Sequence, residues 1–249
     1  MNTSVAYANE ARYELLRVAR LPGFALPTIL FPVMFYVFFG LVFGNRGGGP
    51  VHMPTYLLAT YGTFGVIGPA LFGFGVSLAV ERGFGWLKLR RATPMPPSAY
   101  LLAKLFMAVV FAMLVAGILA GLGAAFGGVR LTAATWLSLL GALTVGCVPF
   151  CAMGLAIGAF AGPQSAPAVV NLLYLPMSLL SGLWMPLRVF PPLLQKVATF
   201  LPPYHLGEIA LGSVGLSSSG EMTGHVLFLL AFGLACLGLA AIGLRRDQA

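Results

Sequence analysis

Residues 80–100 read VERGFGWLKLRRATPMPPSAY and place four basic residues and one acidic residue between two long apolar segments. The apolar segments cover about residues 54–80 and about residues 99–127. Each exceeds the roughly 20 mainly apolar residues that an α-helix needs to cross a bilayer. The stretch is therefore interpreted as a loop that joins two membrane-spanning helices, and it predicts an all-α membrane protein.

The composition of the whole chain agrees with this interpretation. The 249 residues are 59% hydrophobic and 8% charged, whereas a soluble domain carries roughly 25% charged residues. The formal net charge is +8, but the basic residues stand at the ends of apolar segments. This placement is typical of membrane topology, so we expect a lipid environment and no nucleic-acid partner.

Six membrane-spanning helices are predicted, in a single transmembrane domain over residues 1–249. Residues 1–21 resemble an amphipathic helix that lies on the membrane face, because Leu15 and Val18 fall on one helical face and Glu10 and Glu14 on another. Residues 186–220 are rich in proline and are interpreted as a re-entrant or extracytoplasmic segment. The six spans are expected near residues 22–44, 54–80, 99–127, 133–160, 165–185 and 222–244.

The basic residues also predict the orientation. With six spans both termini lie on one side of the membrane, and that side holds ten of the 14 Lys and Arg residues. Because Lys and Arg are enriched in cytoplasmic loops, both termini and the 81–98 loop are expected in the cytoplasm. The ten residues are Arg12, Arg17, Arg20, Arg82, Lys88, Arg90, Arg91, Lys104, Arg245 and Arg246.

Signatures of enzymes and of metal sites are missing from the sequence. It contains neither HExxH nor GxSxG, and its three histidines are far apart. Cys147, Cys151 and Cys236 lie inside apolar segments, so we expect them to serve packing. No ionisable residue lies near the middle of a predicted span, which argues against proton-coupled transport. No lysine follows a glycine, so the chain has no Walker A motif, and energy for uphill transport must come from another chain.

The charged loop has two interpretations from its residues alone. Its charges can anchor the ends of the spans in the membrane interface, or the loop can dock into a partner. A short helix over GFGWLKLRR would present Trp86, Leu87 and Leu89 as apolar contacts, before the prolines force a turn.

This loop resembles the first cytoplasmic loop of type-2 ABC transporter permeases. That family has a Glu-Arg pair, a glycine shortly after it and a basic-Thr-Pro segment, which correspond here to Glu81-Arg82, Gly83 or Gly85, and Arg91 with Thr93-Pro94. A second stretch, LSGLWMPLRVFPPLLQKVATFLPPYHLGEIA at residues 180–210, is similar to the end of the family's fifth helix and the segment that follows. The resemblance covers nearly the whole chain.

The resemblance implies a permease that forms a homodimer and pairs with two copies of a separate P-loop ATP-binding subunit. ATP and Mg would be bound by that subunit, and no cofactor by this chain. Export across the bacterial cytoplasmic (inner) membrane is also implied. The 81–98 loop would be the coupling element, with Glu81, Arg82, Gly85, Lys88, Arg90, Arg91, Thr93 and Pro94 as its coupling residues.

The fifth predicted span carries a polar stripe. Gln164, Asn171, Tyr174, Ser178 and Ser181 fall within an arc of roughly 100° on a helix. Such a stripe either forms hydrogen bonds within one subunit or faces a substrate path or a dimer partner. The resemblance favours the second alternative, because helices two and five line the central cleft in this family. Thr60 and Thr63 of the second span are expected to join the stripe.

Glycines recur at helical spacing in several spans, as at Gly117/Gly121 and Gly154/Gly158. Small residues at this spacing allow membrane helices to approach closely, either within one chain or at a dimer interface.

The functional expectation is the membrane subunit of an ATP-driven exporter. Few charges and many Phe, Leu and Met residues suggest a hydrophobic or amphipathic cargo, such as a drug, a natural product, a lipid or a peptide. The alternative is a passive channel or a membrane assembly scaffold without ATP coupling.

Overall fold

The computed structural model describes residues 3–44, 51–86, 96–217 and 221–246. Every regular element in these ranges is helical, so the predicted all-α class is confirmed. The helices are α1 (Thr3–Ala19), α2 (Pro22–Phe35, continued by a π-helix over Tyr36–Phe43), α3 (Met53–Ala70, continued by a π-helix over Leu71–Val76), α4 (Ser77–Gly83), α5 (Pro97–Phe126), α6 (Ala133–Gly146), α7 (Val148–Phe160), α8 (Ala166–Leu180), α9 (Pro192–Ala198), α10 (Pro202–Ser213) and α11 (Met222–Arg246).

Five helical stretches in these ranges are long and apolar enough to cross a membrane. The predicted fifth span coincides with α8, which has 15 residues and falls short of the roughly 20 that a bilayer requires. The count of six spans therefore stays a prediction. The five stretches are Pro22–Phe43, Met53–Gly83, Ser98–Phe126, Ala133–Phe160 and Met222–Arg245.

The core of the fold is α3. Every residue from Leu57 to Ala70 is buried, which is typical of a helix surrounded by other helices. α2 differs, because Leu26, Leu30 and Phe38 are exposed on its outer face. Large apolar side chains on an outer face are expected where a helix meets lipid.

The helix α7 crosses the π-helical continuation of α3 at close range. A Cβ atom on Gly154 would lie 2.8 Å from the Ala70 carbonyl oxygen, and one on Gly158 would lie 2.7 Å from that of Gly75. The predicted close approach is thus confirmed for this pair, within a single chain. A Cβ on Gly117 or Gly121 of α5 would meet nothing within 4 Å, so this pair makes no close contact among the described residues.

The helical bundle has two ends, which we call proximal and distal. The proximal end holds α1, Glu81 and the end of α7 near Ala159. The distal end holds the start of α3 and the turn after α8, where Gly182 has a φ of +76° that favours glycine. The proline-rich segment after this turn forms α9 and α10, and α10 packs against α3, α6 and α11. Its re-entrant placement in the membrane stays a prediction.

Candidate functional site: a buried charge cluster and two cavities

Four charged side chains from three helices meet at the proximal end, and we call them the charge cluster: Glu14, Arg17, Glu81 and Lys104. The Arg17 guanidinium donates to Glu81 Oε1 at 2.5 Å and to Glu14 Oε1 at 2.8 Å. The Lys104 ammonium donates to the same two carboxylate oxygens, at 2.8 Å to Glu14 and 3.0 Å to Glu81. The cluster therefore joins α1, α4 and α5 through two cations and two anions.

Burial makes this pairing necessary. Lys104 is 0% and Glu81 1% exposed, and a buried charge is tolerated only when it is paired and hydrogen-bonded. The Tyr100 hydroxyl donates to Glu81 Oε2 at 2.7 Å, and Lys104 also donates to the Ser77 hydroxyl. Burial alone would lower the pKa of Arg17, but Glu14 and Glu81 outweigh it and raise that pKa above its ordinary value.

Arg82 connects the end of α4 to the end of α7. Its guanidinium donates to the carbonyl oxygen of Ala159 and, at 2.8 Å, to that of Ala161. Carbonyls at a helix C-terminus lack intrahelical partners and carry partial negative charge, so an arginine stabilises them.

The predicted coupling residues divide into two groups. Glu81 and Arg82 are directed into the protein, at the root of the loop, and Gly85 has a φ of +73° in the turn that ends α4. Beside it, Phe84 and Trp86 are exposed. The other predicted coupling residues, Lys88, Arg90, Arg91, Thr93 and Pro94, lie outside the described residues. The coupling role itself stays a prediction.

Sequence reasoning missed Glu14 and Lys104 as partners of Glu81. The signal was a single lysine inside an otherwise apolar segment, together with acidic residues on the polar face of α1. The amphipathic pattern predicts only a helix on the membrane face, whereas Glu14 is buried and accepts from Lys104 of α5.

A first cavity, which we call the proximal cavity, has a volume of about 300 Å³. It lies between α2, α3 and α8, and its wall is mainly aromatic and aliphatic. The polar stripe contributes Asn171, which is exposed, and Tyr174. The Tyr174 hydroxyl donates to the Phe64 carbonyl at 2.7 Å, and the two rings are stacked at 4.8 Å. The principal lining residues are Phe24, Pro27, Phe31, Phe64, Phe72 and Asn171.

A second cavity, which we call the distal cavity, has a volume of about 180 Å³. It is lined by residues of α3, the turn after α8, and α10. Its wall is more polar than that of the proximal cavity and includes a buried acid, Glu208, and an exposed base, Arg188. The polar and aromatic lining residues are Tyr56, Thr60, Ser181, Arg188, Tyr204 and Glu208.

An aromatic layer lies between the two cavities. On α3, Phe64 lines the proximal cavity, and Thr60, one turn closer to the start of the helix, lines the distal cavity. The Phe64 ring stacks on Tyr174 and packs edge-on against Trp184, with 5.7 Å between ring centroids. The Tyr61 hydroxyl donates to the Trp184 carbonyl at 3.1 Å.

The structure distributes the predicted polar stripe instead of gathering it on one surface. Asn171 and Tyr174 line the proximal cavity, whereas Thr60 and Ser181 line the distal cavity. Thr63 is buried and donates to the Ala59 carbonyl at 2.9 Å. The two remaining residues of the stripe differ in exposure. Ser178 is buried without a hydrogen-bond partner among the described residues, whereas Gln164 is exposed.

Two histidines that are separated by 20 residues meet at the interface of α10 and α11. The Nδ1 atoms of His205 and His225 are 2.8 Å apart, and His205 Nε2 is 2.9 Å from the Thr199 carbonyl. Since a carbonyl only accepts, the neutral His205 carries its proton on Nε2 and its Nδ1 accepts from His225. Both side chains are buried, so two histidines that are far apart in the sequence form a buried pair in the fold.

Comparison with known proteins gives one coherent result. A family model described as "ABC-2 type transporter" matches residues 10–214. The protein named "Putative transport permease YvfS" from Bacillus subtilis (strain 168) is 29% identical over 237 residues, which cover 95% of this chain and 96% of that protein. The residues matched by the family model include the whole charge cluster, the lining of the proximal cavity and most of the lining of the distal cavity. The chain therefore belongs to the ABC-2 type transporter family and is a membrane transport permease.

Proposed function

We propose that this chain is the permease subunit of an ATP-driven ABC exporter, energised by a separate ATP-binding subunit. Membership of the family supports a transport subunit that pairs with an ATP-binding chain. The observation that carries the rest is the charge cluster at the root of the 81–98 loop. It fixes that root to α1 and α5 at the end of α4, and α4 continues α3, which lines both cavities.

The mechanism follows from these contacts. The root of the loop is fixed to α1 and α5 by Glu81 and to α7 by Arg82. α4 continues α3, and α3 contributes Thr60 and Phe64 to the two cavity walls. A force applied to the loop by an ATPase would therefore reach the cavity walls through a continuous helix of 31 residues.

The same proposal places the molecule in its membrane. The proximal end faces the cytoplasm with both termini, and α1 lies beside the ATPase surface, since most basic residues belong to this end. Two copies of the chain pair in the bacterial inner membrane, each with one ATP-binding subunit that holds ATP and Mg. Exposed apolar side chains of α2 provide the surface for lipid or for the second copy.

The lining of the proximal cavity supports a hydrophobic or amphipathic cargo. Four phenylalanines and three aliphatic or proline side chains surround one amide, Asn171. Such a wall recognises apolar surface by burial and orients one polar group by hydrogen bonding.

The test is isolation of the tagged chain from its native membrane in mild detergent, with mass spectrometry and an ATPase assay. We expect a stoichiometric P-loop ATPase with the natural chain and with Arg188→Ala, a distal control. The double variant Arg90→Ala/Arg91→Ala should lose most of the partner. A pure homo-oligomer without ATPase activity would contradict the exporter and favour the passive channel or scaffold.

A substitution in the proximal cavity should change cargo preference. Replacing Asn171 by Leu removes the exposed amide from an apolar wall, so efflux of an amphipathic dye should fall several-fold relative to that of a purely apolar dye. Leu172→Ala, on the neighbouring exposed position of α8, is the matched control and should leave the ratio unchanged. Equal efflux ratios for Asn171→Leu and the natural chain would remove this cavity from the cargo route.

A further inference from the structure

We propose that the distal cavity binds a primary ammonium group, carried by an amphipathic molecule. Where that molecule is the cargo, the inference rests on the exporter proposed above. The binding itself requires only this chain.

The first reason is a buried hydroxyl. Ser181 is 4% exposed, lines the distal cavity, and its Oγ has no hydrogen-bond partner among the described residues. A buried hydroxyl without a partner is destabilising, so such groups in folded proteins call for an explanation, such as a ligand. Thr60 stands in the same wall and donates weakly to the Leu57 carbonyl at 3.5 Å, which leaves its oxygen able to accept.

The second reason is the charge of the wall. Glu208 is 6% exposed, and its Oε2 accepts a hydrogen bond from the Ser217 hydroxyl at 2.7 Å. A carboxylate has about four acceptor sites, so Glu208 can accept from a ligand as well. An ammonium group has three donors, and Glu208, Ser181 and Thr60 provide three acceptor oxygens in one cavity.

The aromatic residues and the size of the cavity point the same way. The rings of Tyr56 and Tyr204 line the wall, and aromatic faces attract cations. The volume of about 180 Å³ resembles that of a cavity that holds one benzene molecule, so it accommodates a head group with its first few methylenes. The aliphatic part of the wall, at Leu183, Leu187, Leu211 and Leu216, suits those methylenes.

Arg188 is a positive charge in the wall of the same cavity, and its role distinguishes two possible sources of the ammonium group. It is exposed, so water and salt screen its repulsion of a cation that binds at the buried Glu208. A free amphipathic amine would not need it. The head group of phosphatidylethanolamine would place its phosphate near Arg188 and its ammonium near Glu208.

The experiment uses the purified full-length chain in detergent, without an ATPase, and three ligands with the same ten-carbon tail: decylamine, decanol and decanoate. Binding is followed by the fluorescence of Trp184, the neighbour of the lining residue Leu183, in a Trp86→Phe/Trp136→Phe background. We expect decylamine to bind at least about tenfold more tightly than decanol, and decanoate to bind most weakly. Equal affinities for the three ligands would overturn the proposal.

Variants separate the cavity from the micelle. Glu208→Gln should reduce the preference for decylamine over decanol to near one, and Ser181→Leu should abolish saturable binding by filling the cavity. Ser213→Ala, a control on α10 whose hydroxyl donates to the Ile209 carbonyl, should change neither. Retention of the amine preference in Glu208→Gln with an unchanged melting curve would contradict the proposal. If Glu208→Gln does not fold, Ser181→Leu and the ligand series decide.

A second series identifies the source. Saturable binding of dihexanoyl-phosphatidylethanolamine, but not of the matched phosphatidylcholine, together with its loss in Arg188→Ala, would assign the site to a lipid head group. Binding of decylamine alone, unchanged in Arg188→Ala, would assign it to a transported amine. Because no step uses ATP, failure of the exporter proposal would appear only in the co-purification experiment.

Discussion

Replacing Lys104 by Met is expected to lower the free energy of unfolding by about 3–5 kcal/mol. The substitution keeps most of the apolar stem but removes the ammonium that donates to Glu14 and Glu81 at 2.8 and 3.0 Å. Two buried carboxylates would then share the single guanidinium of Arg17, and one negative charge would remain uncompensated. The measurement is the unfolding transition of the purified chain in detergent, together with protease cleavage within α1.

Two comparisons make this expectation specific. Lys196→Met removes an exposed lysine of α9 and should change stability by no more than about 0.5 kcal/mol. The double variant Lys104→Met/Glu14→Gln removes one charge of each sign and leaves the Arg17–Glu81 pair neutral, so it should be more stable than Lys104→Met alone. The opposite result would be a double variant that is less stable than Lys104→Met by as much as Glu14→Gln alone destabilises the natural chain. That result would mean that charge balance in the cluster does not stabilise the packing of α1.

The charge cluster also shows which features the sequence could predict and which it could not. Long apolar segments locate membrane helices because the bilayer demands intrahelical hydrogen bonds and a minimum length. Partners across the fold are not encoded in this way: Glu14 and Lys104 are separated by 90 residues. An amphipathic pattern identifies the polar face of α1, but the same pattern suits a face in water and a face that meets another buried charge.

The position of the polar stripe could likewise be predicted only in part. The helical spacing of Asn171, Tyr174 and Ser181 left open whether the stripe faces a substrate path, a dimer partner or the same subunit. In the structure Tyr174 donates to the Phe64 carbonyl of α3, whereas Asn171 is exposed on the same helix. The division into two cavities could not be predicted, because it depends on the Phe64, Tyr174 and Trp184 rings, which pack together from three separate segments. The length of α8 was overestimated for a related reason, since apolar composition continues past the turn at Gly182.

The second large effect is expected at the crossing of α7 with α3. Gly158→Ala should lower the free energy of unfolding by about 1–3 kcal/mol, the usual cost of overpacking a filled interior. The new Cβ would lie 2.7 Å from the Gly75 carbonyl oxygen and 2.9 Å from Leu78 Cβ. Backbone cannot rotate away as a long side chain can, so α7 must move outward.

That movement has a second consequence that can be measured. The Ala159 and Ala161 carbonyls, which accept from Arg82, lie within three residues of Gly158. The displacement would therefore weaken the attachment of the root of the 81–98 loop to α7. Under the exporter proposed above, ATP-dependent transport should therefore fall in Gly158→Ala under conditions in which most of the protein is still folded. Transport at the natural level by a destabilised Gly158→Ala would separate this helix crossing from coupling.

Gly117→Ala is the matched control, because Gly117 stands in the interior of α5 with nothing within 4 Å of an added Cβ. Alanine is favoured over glycine in a helix by roughly 0.5–1 kcal/mol, so this variant should be neutral or slightly stabilising. The two glycine pairs have the same four-residue spacing in the sequence, and only their neighbours differ. Opposite signs for the two variants would show that the contact with Gly75, and not the glycine pattern, makes Gly158 necessary; equal effects would refute the close crossing.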